Sequence, residues 1–299
     1  MLTVVIPATD SPPTLARCLA ALGRSDQPHV VEVVTTPAGS GPAAARNAGV
    51  ARSGGDVVVF VDADVEVHPD ALRLLRARLD ADPGLAAVFG SYDARPAAPQ
   101  LVSRFRNLLH HHVHTSSPGP AGTFWAGLGA IRREAFEAAG GFDERRYPRP
   151  SIEDVELGMR LCALGARIAL DPAARGTHLK RWTLRSMVRT DFAARGAPWV
   201  ALALERGGAG SSLNLTARHR AAAVAALATV AAIALGRPRV AAAALSAMMA
   251  ANMSFYVLLG RRGGLRLALA GVPLHLLHHV TAALSVPAGV ALYARGRMR

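Results

Sequence analysis

Residues Val57 to Val67 read VVVFVDADVEV, and no other stretch restricts the fold as sharply. Five apolar residues in a row, Val57 to Val61, predict a strand buried on both faces. Asp62 and Asp64 then emerge at its C-terminal end, the end where open α/β sheets bind ligands. Two carboxylates one residue apart on an extended chain point to the same side. They make a hard oxygen site suited to Mg²⁺ or Mn²⁺ carrying a diphosphate.

The elements around this strand alternate. Leu2 to Ile6 reads as a first strand ended by Pro7, and Pro12-Pro13 open a helix to about Leu22. Val30 to Thr35 reads as a strand, Ala43 to Arg52 as a helix broken by Gly54-Gly55, and Pro69 to Asp82 as an amphipathic helix. Ala86 to Ser91 reads as another strand. The β-α-β-α-β order predicts an α/β domain with a mostly parallel sheet and flanking helices. Beyond it, Leu101 to His112 reads as a helix, Thr123 to Ile131 as a Gly-rich strand, and Arg132-Arg133 as the start of a short helix. Glu153 to Leu164 reads as a helix closed by Gly165, and RIALDP as the last strand. His110, His111 and His112 are consecutive, cannot share one helix face, and predict no metal site. Cys18 and Cys162 lack the spacing of a zinc site or a disulfide framework and read as buried core thiols in a reducing compartment.

Three segments in fixed order carry a family likeness: GPAAARNAGVARSGGDVVVFVDAD (Gly41 to Asp64), TFWAGLGAIRREAFEAAGGFDE (Thr123 to Glu144) and SIEDVELGMRL (Ser151 to Leu161). From Leu2 to Trp182 the chain resembles the family 2 glycosyltransferases with the GT-A fold, inverting enzymes of the bacterial membrane-associated type. The resemblance implies a nucleotide-sugar donor and a metal-dependent reaction with Mg²⁺ or Mn²⁺. It implies Asp64 for metal ligation and Asp62 for metal or ribose contact. It implies Asp154 as the base that takes the acceptor proton, with Glu153 orienting the acceptor. Pro7, Asp10, Arg46 and Asn47 fall on the donor side, and Trp125, Gly127, Lys180, Arg181 and Trp182 on the acceptor or phosphate side. His178 is a candidate third metal ligand. The chain departs from the family pattern at Thr35-Thr36-Pro37, where many members carry an acidic residue that contacts the nucleobase; this speaks against uracil recognition.

Charge divides the chain. Met1 to Asp171 carries 17 Lys/Arg against 19 Asp/Glu; Pro172 to Arg299 carries 17 against 2. The excess borders three apolar runs, Ala221 to Leu235, Val240 to Gly260 and Leu267 to Ala294. The second and third have the roughly 20 residues needed to span a bilayer, and the first is marginal. Basic borders predict membrane anchoring on the cytoplasmic side. Arg185, Arg189 and Arg195 fit anionic head groups or a lipid-linked phosphate. A nucleic-acid binder would carry its charge on the folded domain with interleaved aromatics, so nucleic acid is not an expected partner. The N-terminus enters a strand without a signal segment, consistent with a cytoplasmic catalytic domain. The expected division is a transferase domain over 1–182, a basic interfacial segment over 183–218, and membrane-anchoring helices over 219–299. The acceptor is expected to be a lipid, lipid-linked molecule or glycan. A sugar nucleotidyltransferase and a non-catalytic membrane scaffold are the alternatives.

Overall fold

The computed structural model describes residues 1–9, 12–35, 40–207 and 216–297. Two compact units are present: Met1–Ala97 with Val113–Lys180, and Ala98–His112 with Arg181–Arg299.

The first unit is built on one sheet. Its strands are β1 (Leu2–Pro7), β2 (Val30–Val34), β3 (Val57–Val61), β4 (Val65–Val67), β5 (Leu85–Tyr92), β6 (Gly119–Ala121), β7 (Leu128–Arg132) and β8 (Arg167–His178). They lie in the order β2-β1-β3-β7-β5-β8-β4, with β6 on β8. All five side chains of β3 are buried, as an uninterrupted Val/Phe run demands when both faces are covered. The pairing is mixed. β1 runs parallel to β2 and β3, and β5 parallel to β8. β7 enters antiparallel between β3 and β5, and β4 and β6 pair antiparallel with β8.

The expected strand over Thr123 to Ile131 is shorter, beginning only at Leu128. Phe124 turns inward against Phe60, their ring centroids 6.3 Å apart. A Cβ on Gly127 would stand 2.5 Å from the Trp125 ring, so the segment folds over itself instead of extending. The last strand is longer than RIALDP and runs on to His178. β4, absent from the sequence reading, pairs with that extension and sets Val65 opposite His178.

Helices α1 (Leu15–Leu22), α2 (Pro42–Arg52), α3 (Ala71–Ala81), α5 (Arg133–Ala138) and α6 (Glu153–Ala163) complete this unit, along with the end of α4 (Leu101–Thr115). α2 begins with Pro at its first turn and buries Ala43, Ala45, Arg46, Gly49 and Val50. α6 carries Glu153, Asp154 and Glu156 in its first turn, where the helix dipole favours negative charge. Gly158 lets α6 seat against the Phe124 backbone; a Cβ there would fall 2.0 Å from the Phe124 nitrogen. Phe60 anchors the core with Phe136 and Phe142, at 5.6 and 5.2 Å between ring centroids. Cys18 is buried; Cys162 is only half-buried, at the solvent margin of α6.

The second unit is helical: α4 up to His112, α7 (Leu184–Arg189), a π-helix (Thr190–Gly196), α8 (Ala197–Glu205), α9 (Ala217–Ala234), α10 (Pro238–Ala251) and α11 (Met253–Arg297). Asp191 in the π-helix accepts from Arg106 at 2.6 Å and pairs with His278 Nδ1 at 2.7 Å. Burial alone would raise the Asp191 pKa; Arg106 and His278 instead hold it well below the ordinary carboxylate range.

The apolar runs are cut differently from the expectation. Val240 to Gly260 is not one helix. Asn252 leaves the helical conformation and its amide donates to the Met248 carbonyl at 2.9 Å, which ends α10 after 14 residues. At about 1.5 Å per residue α10 is too short for a bilayer of about 30 Å. α11 takes up the remainder and continues to the third run, with Gly264 at φ 67° interrupting it. Among the described residues, two helices are long and apolar enough to cross a membrane by length and composition, Ala217–Ala234 and Met253–Gly296.

Candidate active site

The site gathers where β3 ends and α6 begins. Asp62 follows the last residue of β3, and its backbone N–H donates to Gly127 O at 3.1 Å. Arg46 Nη2 donates to Asp62 Oδ1 at 2.7 Å, and Arg46 Nη1 to Glu153 Oε1 at 2.9 Å. One buried guanidinium thus ties the strand-end aspartate to the first residue of α6. The guanidinium lies 5.4 Å from the Phe142 ring centroid. Burial alone would lower the Arg46 pKa, but Asp62 and Glu153 raise it well above the ordinary value, so it stays charged. Glu153 Oε2 also accepts from Ser151 N at 2.9 Å.

Asp154, the second residue of α6, is half-buried. Its Oδ2 accepts from Ala126 N at 3.2 Å and its Oδ1 from Val155 N at 2.8 Å. The backbone after Trp125 therefore holds the carboxylate in one orientation. Asp64 is half-exposed, and its Oδ2 lies 3.4 Å from His178 Nε2. Burial pushes the Asp64 pKa up, yet His178 and then Lys180 bring it below the ordinary value, so it is ionised at neutral pH. Asp62 goes the other way. Its enclosure, with Asp64 and Glu153 adding repulsion, raises its pKa against the pull of Arg46. The same crowding of negative charge, after burial, pushes the Cys18 thiol up to about 12.

His178 stacks on Tyr92 with centroids 4.1 Å apart and planes 8° from parallel. Trp125 meets Tyr92 edge-on at 4.8 Å, and His114 meets Trp125 at 5.0 Å. Tyr92 was not among the sequence candidates, though it ends β5 as Asp62 follows β3. Strand-end position was the signal that would have found it. Its neighbour Asp93 is buried and accepts from Thr177 Oγ1 at 2.5 Å and from Arg95 N at 2.8 Å, with His68 Nε2 at 3.0 Å.

The remaining sequence candidates lie as follows. Pro7 closes β1 and is buried. Asn47 donates to Phe142 O and accepts from Phe142 N, both at 2.9 Å, pinning the segment after Gly141. Asp10 and Thr36-Pro37 lie outside the described residues. Lys180 is exposed and ends the first unit, whereas Arg181 and Trp182 belong to the second. Trp182 N donates to Ser103 Oγ at 2.8 Å, and Arg106 lies over its ring. Among the described residues no three His, Cys, Asp or Glu side chains are arranged to hold a metal ion. Asp62 is held by Arg46 through Oδ1, and Asp64 and His178 face each other.

The model of glycosyl transferase family 2 matches residues 9–140. The chain is 32% identical over 202 residues to a pre-mycofactocin glycosyltransferase of Mycobacterium tuberculosis, covering 63% of this chain and 38% of that protein. It is 34% identical over 155 residues to a probable glycosyltransferase, YdaM, of Bacillus subtilis, covering 48% of this chain and 35% of that protein. The chain therefore spans well under half the length of these curated relatives. The mannosyltransferase PcManGT from Pyrobaculum calidifontis, solved with GDP-Man and Mn²⁺, superposes with a TM-score of 0.56 at 18% identity, covering 95% of this chain and 86% of that one. That likeness is one of fold. Over residues 9–140 the first unit matches glycosyl transferase family 2, and its fold is that of the GT-A glycosyltransferases.

Proposed function

We propose that the chain is a membrane-anchored, inverting glycosyltransferase that moves a sugar from a nucleotide-diphosphate donor to a hydroxyl of a lipid, lipid-linked or glycan acceptor. One observation carries this reading: Asp62, Asp64, Glu153 and Asp154 converge at the strand end around Arg46 and His178. In the reaction the acceptor oxygen attacks the anomeric carbon. The bond from that carbon to the diphosphate oxygen breaks, and its electron pair leaves with the nucleoside diphosphate. A single displacement inverts the anomeric centre. Asp154 is the proposed acceptor of the hydroxyl proton. Its two backbone hydrogen bonds aim it, so little reorganisation is needed when the proton moves. Glu153, locked by Arg46 and Ser151 N, orients the acceptor.

The residues fit a divalent cation. Asp64 and His178 are an oxygen and a nitrogen donor 3.4 Å apart, a pair Mn²⁺ accepts. Two protein ligands suit a hard cation that shares its remaining positions with substrate phosphates and water. When bound, such an ion stabilises negative charge on the leaving diphosphate as a Lewis acid.

Membrane anchoring is supported by what α9 and α11 expose. Val224, Ile233, Leu265, Leu269 and Leu284 are each more than half exposed. Apolar surface exposed along helices of this length is what a membrane-facing or partner-facing surface carries. The basic residues around these helices support attachment at an anionic, cytoplasmic leaflet, and a lipid-borne acceptor is the substrate class such anchoring serves.

The test uses the full chain in detergent, a panel of nucleoside diphosphate sugars, Mn²⁺ and a lipid extract as acceptor. Release of nucleoside diphosphate with sugar moved to the lipid fraction is the expected result. Release of pyrophosphate would instead identify a nucleotidyltransferase. No turnover of any donor, with nucleotide still bound, would leave a binding scaffold.

A further inference from the structure

Arg46 sits on a face of α2 made otherwise of Ala43, Gly49 and Val50, and is only 4% exposed. A buried charge of this kind persists where opposite charges compensate it. Two of its nitrogens are spent on Asp62 and Glu153. Its Nε is buried with no hydrogen-bond partner. Enclosed in this way, the guanidinium presents no edge to a ligand. Its contacts are with other site residues.

Four carboxylates near one strand end would be expected to chelate a divalent cation unaided, because affinity rises with ligand charge. No such three-ligand group exists among the described residues. The reason is visible in the hydrogen bonds. Asp62 and Glu153 are held by Arg46, and Asp154 by the N–H groups of Ala126 and Val155. Asp64 faces a metal-type donor, His178 Nε2, at 3.4 Å.

We infer that Arg46 is a positioning residue that withholds Asp62 and Glu153 from the metal, leaving Asp64 and His178 as its protein ligands. The inference rests on the reading above that these two residues hold a divalent ion. Its consequence is that the protein alone binds the cation weakly. The cation gains its remaining ligands from the donor diphosphate, so it arrives and leaves with nucleotide.

The test is Mn²⁺ binding to the full chain in detergent without nucleotide, read from the loss of the free-ion electron paramagnetic resonance signal. Arg46→Met removes the counter-charge and releases two carboxylates. Its Mn²⁺ affinity should rise by at least about tenfold, as added ligand charge dictates. Arg46→Lys keeps the charge but replaces the two-pronged contact with a single ammonium, so its Mn²⁺ affinity should lie between wild type and Arg46→Met. A merely structural arginine predicts unchanged or weaker binding in Arg46→Met, and that result overturns the inference. Should circular dichroism show Arg46→Met unfolded, Asp62→Asn decides. It should leave nucleotide-free Mn²⁺ affinity within about twofold while Asp64→Asn removes binding, since of the two aspartates Asp64 is the ligand. Loss of binding in Asp62→Asn sinks the inference. A wild-type chain that binds Mn²⁺ yet transfers no sugar would refute the proposed function and leave the role of Arg46 standing.

Discussion

At the scale of single residues, neighbouring carboxylates acquire different tasks from their partners alone. Asp64 faces His178 and stays ionised; Asp62 is bound to Arg46; Asp154 is aimed by backbone N–H groups. Asp64→Asn replaces a metal-type carboxylate with a neutral amide, and Mn²⁺-dependent binding of GDP or UDP, followed by thermal shift, should disappear. Wild-type affinity in that variant would remove Asp64 from the metal site. Asp154→Asn should preserve nucleotide binding and lower turnover by at least about a hundredfold, the lower range for loss of a general base. Near-normal transfer would require a different base. Asp93 has a stability role that pH can expose. Burial pushes its pKa up, but His68, Thr177 and the Arg95 N–H bring it below the ordinary value. A carboxylate held low stabilises the fold above its unfolded pKa of about 3.9, and that contribution fades as pH falls through the depressed folded value. Asp93→Asn should therefore cost about 1–3 kcal/mol at neutral pH. Denaturation curves of the two proteins should converge in the acid range. A gap that persists there would assign the cost to packing.

At the scale of elements, the site depends on how closely α6 approaches the chain before β7. Gly158 makes that approach possible. In an exposed helix Gly→Ala gains about 1 kcal/mol; here the new Cβ would meet the Phe124 nitrogen at 2.0 Å. Gly158→Ala should instead destabilise by about 1–3 kcal/mol, as overpacking does, and lower turnover by displacing Asp154. A rise in melting temperature would show that α6 is free to shift. The longer β8 has a comparable effect on the other side of the site. Pairing of Val65 with His178 across β4 and β8 is what carries the histidine to Asp64.

At the scale of the whole molecule, charge and hydropathy separate into two kinds of chain. The first unit holds the carboxylates; of the 21 Asp and Glu residues only Asp191 and Glu205 follow Asp171. The C-terminal helices pair exposed Val, Leu and Ile with basic borders. The full chain should remain in the membrane fraction through a high-salt wash and leave only with detergent, because apolar burial is not screened by ions. Recovery as a soluble monomer without detergent would mean that α9 to α11 form a helical bundle in water, and the lipid acceptor would lose its main support.

The sequence by itself determined the elements whose signals are local. An unbroken Val/Phe run dictated β3 and placed Asp62 and Asp64 at its end, and spaced motifs carried the family. The Pro and Gly breaks bounded α2 and α3 to within a residue or two. Partnership was decided only in three dimensions. Nothing in the spacing of Arg46, Asp62 and Glu153 says that one guanidinium joins the last two, because a helix, a strand end and another helix must first converge. β4 is only three residues long and the extension of β8 runs through Pro172 and Gly176, so pairing defines both; the Asp64–His178 contact was implied only by the family resemblance, through a shared metal. The break at Asn252 was hidden for the opposite reason. Its cause is local, an amide bonding back to Met248 O, but it lies inside an apolar run whose hydropathy is uniform on both sides.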